Sequence, residues 1–160
     1  MLRPWSDDDV AAVVAAYQEP EIQRWHAHSM TPAEAQQWID DAGSAWSAEQ
    51  GASWAVVVDG ALAGRMTLKF YLGDACAGAG YWTRRAVRGR GIAPQALVMA
   101  VQWAFEAGMH RVQLEHSTRN PASCRVASKA GFAGEGIRRS AALHADGWHD
   151  MHVHGRISMP

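Results

Sequence analysis

The segment Arg88-Gly89-Arg90-Gly91-Ile92-Ala93 constrains this chain more than any other stretch of it. It stands between a β-type run from Gly78 to Thr83 and the clearest amphipathic helix pattern in the sequence. That helix starts near Pro94; Leu97, Val101 and Phe105 recur four apart along it, and Gly108 lies beyond its end. The first-turn amides of such a helix have no intrahelical partners. Gly89 and Gly91 let a ligand come close to the backbone, and the helix dipole and the arginines favour negative charge. The segment therefore predicts an anion site of a kind that can grip a pyrophosphate. Taken alone, the same residues are equally a Gly-rich turn with surface arginines. Two familiar phosphate motifs do not fit: no Gly-Lys-Ser/Thr follows the glycines, and the spacing is not GxGxxG.

The rest of the chain reads as a mixed sheet with helices packed on it, with residues 1–160 as one domain. With 48% hydrophobic and 19% charged residues, the chain can bury a core without disulfide or metal. Leu2 to Trp5 suits a first strand, and Ser6 or Asp7 can cap a helix bearing Val10, Val13, Val14 and Tyr17. A short helical turn follows Pro20 and ends near Trp25. Thr31-Pro32-Ala33-Glu34 is a capping box that opens a helix to about Glu49, with Trp38 and Trp46 on one face. Asp59-Gly60 marks a hairpin between strands within Ser53 to Tyr71. Arg111 to Glu115 is a strand, Asn120-Pro121 opens a helix ending at Gly131, and the remainder to Ser158 is a hairpin turning at Asp146-Gly147. Most of the eight tryptophans belong in the core, with a few free to line a pocket.

A second motif removes the ambiguity of the first. Arg88-x-x-Gly91-x-Ala93 is similar to the Q/R-x-x-G-x-G/A signature of the GNAT N-acetyltransferases, and Asn120-Pro121-Ala122-Ser123, Val126-Ala127 and Gly131-Phe132 resemble the segment that follows it in that family. Glu21-Ile22-Gln23-Arg24-Trp25 and Asp146-Gly147-Trp148-His149-Asp150 resemble the branch that acetylates ribosomal-protein N-termini. The resemblance spans essentially the whole chain. It implies an α+β (mixed α/β) GNAT fold: a central, mostly antiparallel twisted sheet of about six or seven strands, helices on both faces and a splayed central strand pair. It also implies an enzyme that moves an acetyl group from acetyl-CoA to a primary amine, either a peptide N-terminus or an amine-bearing small molecule. The implied cofactor contacts are Tyr81, Trp82, Thr83, Arg88, Gly89, Arg90, Gly91, Ile92, Ala93, Asn120 and Ser123, with pantetheine pairing along the strand of Tyr81 to Thr83. Trp25, His26 and Tyr81 are the implied acceptor contacts.

Transfer to an amine requires a neutral nucleophile, a stabilised carbonyl oxygen and a proton for the leaving thiolate. Glu115 is the candidate base; its alternative is a strand glutamate paired with an arginine, and His116 points to the opposite face. Ser123, in the first turn after the Asn120 cap, is the candidate for assisting the thiolate. Relatives that use a tyrosine seven residues after the Asn have no counterpart here, because that position is Ala127, and Arg138 to Ala142 supplies no second carboxylate. A non-catalytic acyl-CoA-binding sensor on the same fold is the alternative function.

His144, His149, His152 and His154 cluster in sequence, but no Cys lies among them and the spacing matches no structural zinc pattern, so the expectation is no metal. A net charge of −1, from 15 basic and 16 acidic residues, excludes a general nucleic-acid or membrane surface. Two distant cysteines, no signal-peptide core and no transmembrane run set the expectation of a cytoplasmic protein. A homodimer remains open.

Overall fold

The order of the strands explains the site. In a computed structural model, which describes residues 1–26 and 28–158, seven strands form one sheet in the order β1-β2-β3-β4-β5-β7-β6. They are β1 (Leu2–Arg3), β2 (Gly51–Val58), β3 (Ala61–Tyr71), β4 (Cys76–Thr83), β5 (Arg111–Ser117), β6 (Ala133–His144) and β7 (Gly147–Ile157). The helices are α1 (Val10–Ala16), α2 (Pro20–His26), α3 (Pro32–Ser47), α4 (Ile92–Glu106) and α5 (Pro121–Lys129). Every neighbouring pair is antiparallel except β4 and β5, which run parallel because α4 carries the chain back between them.

Local chemistry accounts for the elements. Thr31 and Glu34 exchange the expected capping bonds at the head of α3, the Thr31 amide donating to Glu34 Oε2 at 2.7 Å. Ser6 caps a short 3₁₀ turn, Asp7–Asp9, that feeds α1. Asp59 and Gly60 both take positive φ in the β2–β3 turn, the backbone a tight hairpin demands.

Each face of the sheet carries its own core. On one, α4 packs Ala96, Leu97, Ala100, Val101 and Ala104 against Met66, Leu68, Ala77, Val112 and Leu114, all buried. On the other, α1, α2 and α3 bury Val13, Tyr17, Ile22 and Ile39 over Ala55, Val57 and Trp82. The alanines of α4 let the helix lie close to the strands, so that face closes tightly. The two tryptophans of α3 do not share a face as the sequence pattern suggested. Trp38 stacks edge-on to Trp5 at 4.8 Å, whereas Trp46 meets Trp54 and Trp103 of the other core. Eight helical residues overshoot two turns by about 80°, enough to swing Trp46 round the sheet edge. Among the described residues, no helix is long and apolar enough to cross a membrane.

Candidate active site

The parallel pair β4–β5 does not stay paired. Cys76 to Ala79 register with Arg111 to Leu114, and the ladder ends there. Gly80 to Thr83 and Glu115 to Ser117 then diverge, leaving backbone groups of β4 open on that edge. Two concavities meet this split, one on each face of the sheet.

The first is a cleft of about 400 Å³ on the α4–α5 side. Its floor is the glycine loop. Gly89 (φ 78°) and Gly91 (φ 76°) hold the left-handed backbone that turns the chain into α4, a conformation that costs other residues about 1–2 kcal/mol. The amides of Ile92 and Ala93 open the helix and have no intrahelical acceptors. Thr83, Arg88, Gly89, Gly91, Ile92, Ala93, Asn120 and Ser123 all line the cleft, as do Tyr81, Trp82, Trp25 and His26.

Of the two motif arginines, Arg88 lines the cleft and Arg90 does not. Arg88 spends its guanidinium on the scaffold, donating from Nε and Nη2 to the Thr83 carbonyl at 3.0 Å, so it braces the loop against the end of β4. Arg90 lies outside the lining and reaches Asp59 at 3.5 Å, because the turn made by its flanking glycines carries the side chain outward. Arg125 and Lys129, four residues apart on α5, add positive charge to the cleft. They belong to no motif; only the docking of α5 reveals them.

At the inner end of the cleft, Asn120 Oδ1 accepts from the Ser123 amide at 3.1 Å, the expected cap. Ser123 is buried, and its Oγ is 2.8 Å from the Tyr81 hydroxyl. Burial pushes the Tyr81 phenol up to about 12, with the Ser123 hydrogen bond pulling the other way, so the phenol keeps its proton. Tyr81 and Ser123 thus form a neutral proton-donating pair. Ala127 leaves the α5 tyrosine position vacant, and a tyrosine from β4 reaches the serine instead. His26 is also neutral: burial, helped by the nearby charges of Arg65 and His28, pushes it down to about 4.

The second concavity is a groove on the opposite face, lined by Arg65, Lys69, Gly78, Gly80, Glu115 and Arg138 among others. Glu115 therefore does not share the cleft with Ser123. Its carboxylate accepts from Arg138 Nη1 at 2.9 and 3.0 Å, the arginine-paired arrangement that was the alternative to a free base. Arg65 has no carboxylate partner among the described residues. Its Nη1 donates to Tyr17 Oη at 3.3 Å, its guanidinium lies 5.7 Å from the Trp38 ring centre, and its Nε is buried without a partner.

A parallel strand pair that splits, a glycine loop at the head of the helix between the two strands, and an Asn-capped helix closing the cleft define the GNAT architecture. Residues 1–133 match the family model described as the acetyltransferase (GNAT) domain, and the chain belongs to that family. It is 39% identical over 75 residues to the probable N-acetyltransferase YjcK of Bacillus subtilis (strain 168), covering 46% of this chain and 41% of that protein. It is 32% identical over 79 residues to the ribosomal-protein-serine acetyltransferase of Escherichia coli (strain K12), covering 49% and 44%. The chain thus spans less than half the length of the curated relatives it matches. Among solved structures, RimL, a ribosomal L7/L12 α-N-protein acetyltransferase in complex with coenzyme A, superposes with a TM-score of 0.91 at 20% identity, covering 98% of this chain and 92% of that one. That likeness establishes the fold.

Proposed function

We propose that this protein transfers an acetyl group from acetyl-CoA to a primary amine, with the two partners approaching the sheet split from opposite faces. The observation that carries the reading is the split itself, which joins an anion-binding cleft to a charged groove. The cleft residues fit coenzyme A. The Gly89–Gly91 backbone and the first amides of α4 would hold the pyrophosphate, and Arg125 and Lys129 would add charge. The unpaired edge of β4 from Gly80 to Thr83 offers hydrogen bonds to an amide-bearing arm. The thioester supplies the activated acyl group; no metal is needed for that chemistry.

The protein's own residues then have separate tasks. Ser123, backed by Tyr81, presents a hydroxyl proton to the leaving sulfur. Glu115 lies on the acceptor side and takes the amine proton, directly or through a water, while Arg138 holds its carboxylate in place. Trp25 and His26 wall the cleft near the reacting centre. The groove sets Arg65, Lys69 and Arg138 against one carboxylate, Glu115, so it favours an acceptor with an acidic group near its amine over a polyamine. A peptide N-terminus with an Asp or Glu among its first residues, or an amino-acid-like small molecule with a free carboxylate, meets that description. Cys76 and Cys124 are free thiols, which supports a reducing, cytoplasmic setting.

Calorimetric titration with acetyl-CoA tests the reading, with Gly91→Glu alongside. The wild-type chain should bind in the micromolar range, about −8 kcal/mol. The substitution places a carboxylate at the anion site on a backbone that resists a side chain, so binding falls below detection. Failure of a folded wild-type chain to bind would reduce the loop to a turn and end the acetyltransferase reading.

A further inference from the structure

The histidines near the C-terminus split into two groups in the fold. His144 and His149 stack at 4.2 Å, and both lie beside Trp25. His152 and His154 lie under α5, where β7 sets them against His116 of β5: His152 is its direct cross-strand partner, and His154 follows two residues on along the same face. The cysteine that seemed missing from the sequence comes from α5. Ligand atoms of His116, Cys124, His152 and His154 all lie within 4.8 Å of one another.

We propose that these four side chains form a binding site for a divalent transition ion of the zinc class. Three nitrogens and one sulfur suit a borderline-soft ion in tetrahedral geometry. With bonds of about 2.0–2.1 Å to nitrogen and 2.3 Å to sulfur, neighbouring ligand atoms stand about 3.3–3.7 Å apart. The cluster needs to contract by no more than about 1.5 Å at its widest pair to reach that.

Proton placement favours the same reading. His116 Nδ1 lies 2.8 Å from the Ser117 carbonyl, which can only accept, so Nδ1 carries the hydrogen and Nε2 is left as a bare lone pair. A ring anchored by a backbone carbonyl through one nitrogen and open at the other is how a metal-ligating histidine is usually oriented. That lone pair points at His154 Nε2, 3.1 Å away. His154 Nδ1 is buried and has no partner among the described residues, so without an ion the His154 proton sits on Nε2 and donates to His116 Nε2, and it moves to Nδ1 when Nε2 takes the ion. His116 and His154 are buried, while Cys124 and His152 are half-buried, so an ion has a way in. Binding would displace the Cys124 thiol proton to solvent and form the metal–thiolate bond.

The position gives the site a consequence. Cys124 follows Ser123 in the first turn of α5, and the other ligands come from β5 and β7. An ion there pins the turn that carries Ser123 to the two strands beside the split. It takes no part in the acyl transfer.

The test uses the full chain, stripped with a chelator and titrated with CoCl₂, then with ZnCl₂. We expect one equivalent of Co²⁺ with the intense visible bands of a tetrahedral site and a thiolate charge-transfer band, both abolished as Zn²⁺ replaces it. Zn²⁺ also raises the melting temperature of the wild-type chain. Cys124→Ser removes the charge-transfer band and weakens binding at least tenfold, and His154→Ala weakens it as much. Should His154→Ala not fold, the half-exposed His152→Gln takes its place. Cys76→Ser and His144→Ala leave the spectrum unchanged. The proposal is overturned by a folded wild-type chain that takes up no stoichiometric Co²⁺, or by a Co²⁺ spectrum indifferent to Cys124→Ser.

Discussion

The two faces of the sheet at the β4–β5 split are built from different materials. The cleft on the α4–α5 side is mostly backbone, glycine and neutral side chains, with its two working hydroxyls buried together. The groove on the other face is lined by long charged side chains, one of them an arginine with no acidic partner among the described residues. A ligand shared by every reaction of an enzyme can be held by fixed backbone geometry, which needs no tuning. A ligand that must be chosen is recognised by side chains, whose identity can vary without disturbing the fold. The difference supports the proposed assignment of the cleft to the donor and the groove to the acceptor, and substitutions on either face can break that assignment.

The largest effect should come from the buried hydroxyl pair. Ser123→Ala removes the group proposed to protonate the leaving sulfur and leaves Tyr81 without its partner. Steady-state kinetics should show kcat lowered by about 10²–10³-fold, within the range a positioned general acid contributes. Tyr81→Phe should lose less, because Ser123 keeps its own proton. Acetyl-CoA affinity, read by calorimetry, should stay within about threefold in both. Equal losses of affinity and kcat would show that the pair holds the donor instead of serving the chemistry.

Glu115→Gln should follow at about 10- to 100-fold in kcat/KM, with acetyl-CoA binding untouched because the carboxylate lies on the other face. If the substitution weakened donor binding, the separation of faces would fail. Arg65→Gln should be smaller and more selective. It should raise KM about tenfold for an acceptor carrying a carboxylate near its amine and leave an uncharged amine almost unaffected. The same loss for both acceptors would make Arg65 a structural residue held by Tyr17 and Trp38.

The donor face was far more legible in the sequence than the acceptor face, and the reason is distance along the chain. Gly89, Gly91, Asn120 and Ser123 act within a few residues of a helix start, where capping and dipole rules apply locally. The strands flanking Asp59-Gly60 were readable for the same reason. The contacts that define the groove are not local. Arg138 on β6 reaches Glu115 on β5 across the intervening β7, a strand order that no local pattern announces. A hairpin at Asp146-Gly147 is evident from sequence, but which of its strands joins β5 is decided by packing. The same insertion brings His152 and His154 to His116, and the docking of α5 adds Cys124. Tyr81 and Ser123 were each singled out, yet the bond between them spans 42 positions and no spacing rule announces it.

The smallest effect concerns charge in the donor cleft. Burial holds the His26 imidazole down to about 4 from an ordinary 6.5. A histidine whose folded pKa is depressed binds fewer protons in the folded chain than in the unfolded one between those two values. Stability therefore falls as pH drops through that window and is unaffected by His26 above it. Thermal melts at a series of pH values should show that decline beginning near 6.5, with His26→Gln making it shallower by one residue's share. Activity should behave differently. With His26 neutral and Tyr81 keeping its proton up to about 12, neither gives the kcat profile a limb between pH 6 and 9, so any limb found there belongs to the acceptor face or to the acceptor amine itself. A limb in that range that vanished in His26→Gln would place a titrating group in the cleft and erase the contrast between a donor face whose buried working groups stay neutral and an acceptor face whose base is a charged carboxylate.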